Sequence, residues 1–207
     1  MRRVIKIGGS LLRQNDLVCN LQNWLCQQTS AETLAIVGGG EMIDAVRRLD
    51  ATFACDPAWL HWQCVGLLQF TFHWLGRQLD DWQLHATPDQ FSDLTRQLQQ
   101  TRQPRDVTAP DGSQDSAKHL IDVNSFYRAG LSSPLPEDWT TTTDAIAGWL
   151  AILVDADELV LLKSCDVDET KSLAELADEG VIDRALLTLA DQLPPIRFVN
   201  FAAESVA

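Results

Sequence analysis

Apolar residues enter this chain as short runs that stop at glycine, and each run is followed by a stretch with helical spacing. Val4, Ile5 and Ile7 form the first run, a β-branched strand interrupted by Lys6 and ended by Gly8-Gly9-Ser10. Leu17, Val18, Leu21, Trp24 and Leu25 then recur at helical intervals and predict a helix within Leu11 to Thr29, with Ser10 available to cap it. The pattern repeats. Thr33 to Val37 reads as a buried strand ending in Gly38-Gly39-Gly40, and Met42, Ile43, Val46 and Leu49 give the next helix one apolar face. Strand, helix, strand, helix implies a parallel sheet with right-handed crossovers and sites at the carboxyl ends of its strands, where both glycine turns fall.

The later pattern is less regular. Asp56-Pro57 opens a segment reaching Trp82 whose large apolar side chains surround the helix, so burial on all sides is expected, with a subunit interface covering one face. His61 and His73 lie on it, and a satisfied core histidine is the plainer reading of each. Asp89 to Gln100 is a polar helix, and the prolines and Asp111-Gly112 between Thr101 and Ser116 predict a loop or hairpin. A short strand follows near Leu120 to Val123. Thr143-Asp144 stand where a cap precedes the small-residue helix from Ala145 to Ala151, whose Ala147, Gly148 and Ala151 permit close approach to a sheet. Leu159 to Leu162 is the clearest strand of the second half. Glu175 to Leu189 reads as an interrupted helix and Arg197 to Phe201 as a closing strand.

Composition narrows the partners. With 207 residues and 45% apolar content the chain supports one large domain or two small ones. A net charge of -13 excludes nucleic acid and anionic membranes as expected partners, and no apolar stretch spans a bilayer. The run after Arg2-Arg3 is too short for a secretory signal, and five scattered cysteines without a C-x-x-C pair read as reduced core thiols, so a cytoplasmic location is expected. Locally, the two glycine turns offer backbone N–H groups to an anion. A tight turn beside a snorkelling lysine explains the first of them equally well. A dinucleotide fingerprint fails, because Ile43 stands where a third small residue is required.

Four features in order then carry a resemblance: Lys6-Ile7-Gly8-Gly9-Ser10, Gly38-Gly39-Gly40, Thr143-Asp144 opening a helix, and Asp166-Val167-Asp168 after a strand. Together they resemble the amino acid kinase superfamily of acetylglutamate, aspartate, carbamate and uridylate kinases. The resemblance implies an α/β fold: a three-layer αβα sandwich with a central, mainly parallel sheet of the carbamate kinase-like type. It implies one domain over residues 1–207, with the acceptor over about 1–135 and the nucleotide over about 136–207. Asp44, Ala45, Val46 and Arg47 after the glycines, His61-Trp62, and Leu161-Leu162-Lys163-Ser164 look most like a short subgroup that includes the aminomethylfuran-methyl phosphate kinase of methanofuran biosynthesis.

What the resemblance implies is phosphoryl transfer from ATP, with Mg2+, to a small anionic acceptor in one-carbon coenzyme biosynthesis. Lys6, Gly8, Gly9, Asp144 and Lys163 would be catalytic, with Gly8, Gly9 and Gly39 cradling the phosphoryl group and Asp144 orienting Lys6. Ser10, Thr143, Ser164, Asp166, Val167 and Asp168 would lie on the nucleotide side. Gly38, Gly39, Gly40, Asp44 and His61 would meet the acceptor, and no side chain is assigned as a metal ligand. Asp44 reads equally as an intrahelical partner of Arg47 or Arg48. Two departures stand out. Glu169 replaces a glycine after Asp-Val-Asp, and the usual second lysine is missing from its later position, with Lys163 the first candidate to substitute, ahead of Lys171 and Arg184. These departures keep two rivals in play: a non-catalytic nucleotide- or anion-binding homologue, and a structural subunit. A homodimer is expected.

Overall fold

In the computed structural model, which describes residues 1–101 and 117–202, a six-stranded sheet in the order β3-β4-β2-β1-β5-β6 holds the chain together. The strands are β1 (Arg2–Ile7), β2 (Glu32–Val37), β3 (Gln83–His85), β4 (Lys118–Ile121), β5 (Glu158–Lys163) and β6 (Ile196–Asn200), and every pairing is parallel. The helices are α1 (Leu17–Cys26), α2 (Glu41–Thr52), α3 (Pro57–Gly76), α4 (Pro88–Thr101), α5 (Val123–Phe126), α6 (Thr143–Leu153) and α7 (Leu173–Asp178). They lie on both sheet faces, as a parallel sheet requires. The loop or hairpin expected after Thr101 falls on 102–116, outside the described residues.

Alternation along the strands decides which face each residue serves. Ile5, Ile7, Ala35, Val37, Val160 and Leu162 bury one face against Leu17, Leu21 and Trp24 of α1. Val4, Leu34, Ile36, Leu159 and Leu161 bury the other against α3, α4 and α6, where Ala147, Leu150 and Ala151 sit. Each such aliphatic side chain contributes about 1.5–3 kcal/mol when fully buried. The order in which strands are added reverses between β1 and β5, since β2 to β4 build one side of β1 and β5 and β6 the other. That is a topological switch point, and the carboxyl ends of β1 and β5 meet there.

Several local expectations are corrected. Ser10 caps no helix: Gly9–Arg13 is a short 3-10 turn whose cap position is Gly8, and α1 starts only at Leu17. β3 carries no apolar alternation and escaped the sequence reading; exposed Gln83 and Leu84 pair only with β4 at the sheet edge. The segment Glu175 to Leu189 divides into α7 and a 3-10 stretch, Arg184–Gln192, on either side of Gly180 with its φ of +73°. α3 is not buried all round, because Trp59, Phe70 and Trp74 stay exposed. The cysteines are free but not core: Cys64 is half-buried and Cys19, Cys26, Cys55 and Cys165 are at the surface.

The N-terminus of α6 is capped from far away in sequence. Thr142 occupies the cap position, but its side chain makes no cap bond. Instead half-buried Asp183 accepts from the Thr142 N–H at 3.0 Å, the Ala145 N–H at 2.9 Å and the Thr142 hydroxyl. Burial pushes the Asp183 carboxyl up, the negative Asp144 adds to this, and the hydrogen bonds from Thr142 and Ala145 oppose it. Asp183→Ala strands those donors and should cost about 1–3 kcal/mol. Asp183→Asn, which keeps an acceptor and relieves a buried charge, should stay near wild type. Denaturant midpoints at constant m-value check both; equal losses in the two variants would remove Asp183 as the cap.

Candidate active site

The carboxyl ends of β1 and β5 carry one lysine each. Lys6 and Lys163 stand at alternating positions with Val4 and with Leu159 and Leu161, so both point to the α6 face. α6 brings Asp144 down between them. Lys6 Nζ lies 2.9 Å from Asp144 Oδ1, and Lys163 Nζ pairs with Oδ2 while donating to the Val181 carbonyl at 2.7 Å. Lys6 is 8% and Asp144 3% exposed. Burial alone would push the Asp144 carboxyl up, but the positive Lys6 and Lys163, together with their hydrogen bonds, outweigh it and hold the carboxyl below the usual range. Asp144 is therefore not the helix cap; it sits in the first turn of α6, where the helix dipole also favours its charge.

Beside this triad the two glycine turns touch. A Cβ on Gly9 would fall 2.2 Å from the Gly40 nitrogen, and one on Gly38 would fall 2.8 Å from the Gly9 nitrogen. Gly40 has a φ of +55°, which disfavours any other residue. Backbone contact between turns, not only freedom to bend, is the physical demand for glycine here. Gly8 and Gly38 spend their N–H groups on the Leu162 and Ile7 carbonyls, at 3.2 and 2.9 Å, and so tie the turns to the sheet. Gly9 and Gly39 make no such bond among the described residues and are left as donors. This corrects the cradle expected from Gly8, Gly9 and Gly39: Gly8 positions the turn and does not donate into the site. Of the two glycine turns, only the second leads directly into an α-helix, α2, since the first leads into the 3-10 segment.

A cavity of about 410 Å³ opens over these groups. Its floor is Lys6, Lys163 and the glycine turns, and Ser10, Thr143, Ser164 and Cys165 border it. Ser10 and Ser164 join their hydroxyls at 2.9 Å across the β1–β5 seam. One wall is mainly apolar, from Ile43, Val65, Leu68, Ile146 and the indole of Trp139. Asp44 and Arg47 reach the rim from α2, paired with each other at 3.4 Å, which is the intrahelical partnership weighed for Asp44. His61 lines the cavity yet is also satisfied: its Nε2 is 2.9 Å from the Tyr127 hydroxyl, and burial lowers its basicity. Its evident work is to hold α3 against α5 behind the wall.

The remaining sequence candidates lie apart. Asp166 accepts from Asn200 at 2.7 Å, Asp168 folds back on Thr170, and Val167 packs into the core, all just beyond the Ser164 and Cys165 that border the cavity. Glu169 lines a separate groove with Lys171, Pro194 and Ile196, so its carboxylate does not enter the cavity. Lys171 and Arg184 pair at the surface with Glu179 and Asp178. Asp183 and Trp139 were missed in the sequence. Asp183 carries no local signal, because its partners are some 40 residues earlier. Trp139, whose Nε1 donates to Asp50 at 2.8 Å under the guanidinium of Arg47, stood in a segment read only as leading to a helix. No group of three or more His, Cys, Asp or Glu side chains among the described residues has the arrangement of a metal site. No described helix is long and apolar enough to cross a membrane.

No protein-family model matches this chain, and no curated protein is similar to it in sequence. Solved structures are similar in fold. The uridylate kinase of Archaeoglobus fulgidus superposes with a TM-score of 0.59 at 12% identity, over 100% of this chain and 96% of that one. The UMP kinase of Ureaplasma parvum gives 0.59 at 13%, over 97% and 89%, and that of Bacillus anthracis gives 0.59 at 14%, over 97% and 87%. At such identities the likeness is one of architecture, and it spans both sides of the switch point. The all-parallel six-stranded sheet flanked by helices is thus the fold of the uridylate kinases, members of the amino acid kinase superfamily.

Proposed function

We propose that this chain is an ATP-dependent phosphotransferase acting on a small anionic metabolite. The observation that carries the reading is the convergence of Lys6 and Lys163 on the single buried carboxylate of Asp144, beneath two interlocked glycine turns. A structural lysine needs one counter-charge. Two ammonium groups held at adjacent strand ends by one carboxylate carry a net positive charge into a cavity, where it suits the equatorial oxygens of a moving phosphoryl group. An acceptor oxygen would form its bond to the γ-phosphorus of ATP as the bond to the β–γ bridging oxygen breaks, and ADP would leave with that electron pair. The free N–H groups of Gly9 and Gly39 would add donors. Lys163 takes the role of the second lysine, which answers the departure noted in the sequence.

ATP would lie on the β5 side, near Ser164, Asp166 and Gly180, and the acceptor beside Ile43, Asp44 and Trp139. Asp144 is consumed by its lysines and Asp183 by the α6 cap, so the donor set fits no protein-held metal cage. Mg2+ would arrive as the MgATP complex, held chiefly by phosphate oxygens. The rim supports an acceptor with an anionic group for Arg47 and an amine for Asp44. That fits the aminated monophosphates of one-carbon coenzyme biosynthesis; support for this finer assignment is the subgroup resemblance alone. The non-catalytic reading loses one of its grounds, since Glu169 points into another groove.

Lys6→Ala and Lys163→Ala should each lower the rate of ADP formation about 10²–10³-fold, with the fold retained because Asp144 keeps one partner. Circular dichroism and turnover measured on the same samples check this, and full activity in either folded variant would remove its lysine from the chemistry. The panel for the acceptor is aminated monophosphates, amino acids, carbamate and nucleoside monophosphates, each with MgATP. A preference for an uncharged alcohol, or nucleotide binding without turnover on any of them, would overturn the assignment.

The pH dependence follows from the lowered pKa of Asp144. Its pairing contributes stability that is fully present above the ordinary carboxylate range and is lost as pH falls through the depressed folded value. Asp144→Asn leaves two lysines without their counter-charge, costs about 3–5 kcal/mol at neutral pH, and flattens the acid limb of the stability profile. Urea titrations from neutral to acid pH test the sign; an unchanged acid limb would contradict it.

A further inference from the structure

On the sheet face that carries α4, one polar diagonal interrupts the aliphatic side chains. In register, Arg2 of β1 stands beside Glu32 of β2, His119 of β4 beside Leu34, and His85 of β3 beside Ile121. Alternation turns all four polar residues to the face of Leu34 and Ile121. They run in order across four strands, and none of them borders the cavity. Arg2 is 8% and His119 3% exposed, while Glu32 and His85 are half-buried. Buried polar side chains on an otherwise apolar face need a reason.

The two imidazoles are close enough to share a proton. His85 Nε2 lies 3.0 Å from His119 Nδ1. Two lone pairs repel at that distance, and so do two N–H groups, so one hydrogen stands between them. On its other side His119 Nε2 makes no hydrogen bond among the described residues but lies 3.4 Å from Glu32 Oε1. A carboxylate there favours an N–H on Nε2 as well. Hydrogens on both His119 nitrogens therefore suit both neighbours, with His85 neutral and accepting. The Glu32 carboxyl is held below its ordinary range, chiefly by His119 and against the effect of burial, with Arg2 and the N-terminal amine adding to it.

A second proton has no place in this arrangement. On His85 Nε2 it would set N–H against N–H and one positive ring against another. Burial pushes the His85 imidazole below its ordinary value, the charge on His119 adds to this, and the Gln90 backbone opposes it. Among the described residues no acid pairs with His85. Glu32 is reached only across His119, and Arg2 donates to the Val154 and Leu98 carbonyls. Lys118 alternates to the opposite face, where it pairs with Asp81. On α4, Asp93 and Arg96 pair with each other at 2.8 Å, and Asp80 and Asp89 at either end of β3 are exposed. β3 itself has little else to hold it: three residues long, it pairs only with β4, and Gln83 and Leu84 are exposed. Short edge elements of this kind are the first to open.

We propose that His85 and His119 form a one-proton latch that holds β3 on the sheet near neutral pH and lets it go when a second proton enters in mild acid. The stability it gives is fully present above the ordinary histidine value of 6.5 and is lost as pH falls through the lower folded value of His85. Release begins above the carboxylate range in which the Asp144 pairing fails. α4 starts at Pro88, just after β3, so its first turn opens with the strand.

Hydrogen exchange of the full chain between about pH 8 and about pH 5, corrected for the pH dependence of intrinsic exchange, tests this, with the histidine ring signals followed by NMR on the same samples. On acidification β3 and the first turn of α4 should lose protection about tenfold relative to β1 and β5, and the His85 ring should titrate below 6.5. His85→Gln takes up no second proton but still accepts from His119 through its amide oxygen, so its β3 protection should not change with pH. The wild-type ring titration and exchange decide alone if that variant does not fold. Equal β3 protection across the range in the wild type, a His85 ring that titrates at or above 6.5, or an acid loss that persists in His85→Gln would each overturn the proposal.

Discussion

A buried carboxylate shared by two lysines, Lys6 buried and Lys163 partly so, is the constraint around which this molecule is arranged. Removing an ammonium or a carboxylate from water costs several kcal/mol per ion, and only close, well-oriented counter-charges offset it. Asp144 can serve Lys6 and Lys163 together only if β1 and β5 are neighbours, their side chains share a face, and the first turn of α6 lies directly over their ends. Parallel register between β1 and β5 supplies the first two conditions. The small residues Ala147 and Ala151, in the same cluster as Val4, Leu159 and Leu161, supply the third by letting α6 settle closely, whereas Gly148, expected to face the sheet, instead faces the 3-10 stretch, where a Cβ would fall 2.7 Å from Leu186. Asp183 fixes the helix end that holds Asp144.

The same constraint explains the glycines. With the lysines fixed, space for a ligand exists only if the turns after β1 and β2 stay low. They do so by stacking backbone on backbone, with Gly9 against Gly38 and Gly40. The result is a cavity whose floor is positive and whose wall is apolar, in a protein that is acidic overall. Recognition of an anion there is local. It depends on two ammonium groups and a few N–H donors in a partly desolvated setting, where they count for more than the distant surface charges.

Some of this was legible in the residues. β2 and β5 carry continuous apolar runs and β1 one broken only by Lys6, as strands buried on both faces require, and their alternation with helical stretches implied the parallel sheet. Lys6 and Asp144 stood out because a charge within an apolar run or at a helix start needs a reason. Other elements were illegible for stated causes. β3 is short and exposed, so it has no period. α3 is apolar on two opposed faces, which erases the periodicity that separates buried from exposed. The α6 cap comes from Asp183 on another element, and propensity rules do not reach across 40 residues.

By itself, then, the sequence determined the class of fold, the strands at its centre, the two glycine turns and Lys6 as a charge in need of a partner, because each of these is a local conflict or a local period; Asp144 as that partner came only through the family resemblance. Tertiary structure alone decided that Lys163 joins Lys6 on Asp144, that Gly8 ties down the turn while Gly9 and Gly39 remain free to donate, that Glu169 faces another groove, and that one face of α3 stays uncovered. Those facts depend on which strands are adjacent and which carbonyls lie within reach, and separation along the chain carries no record of either.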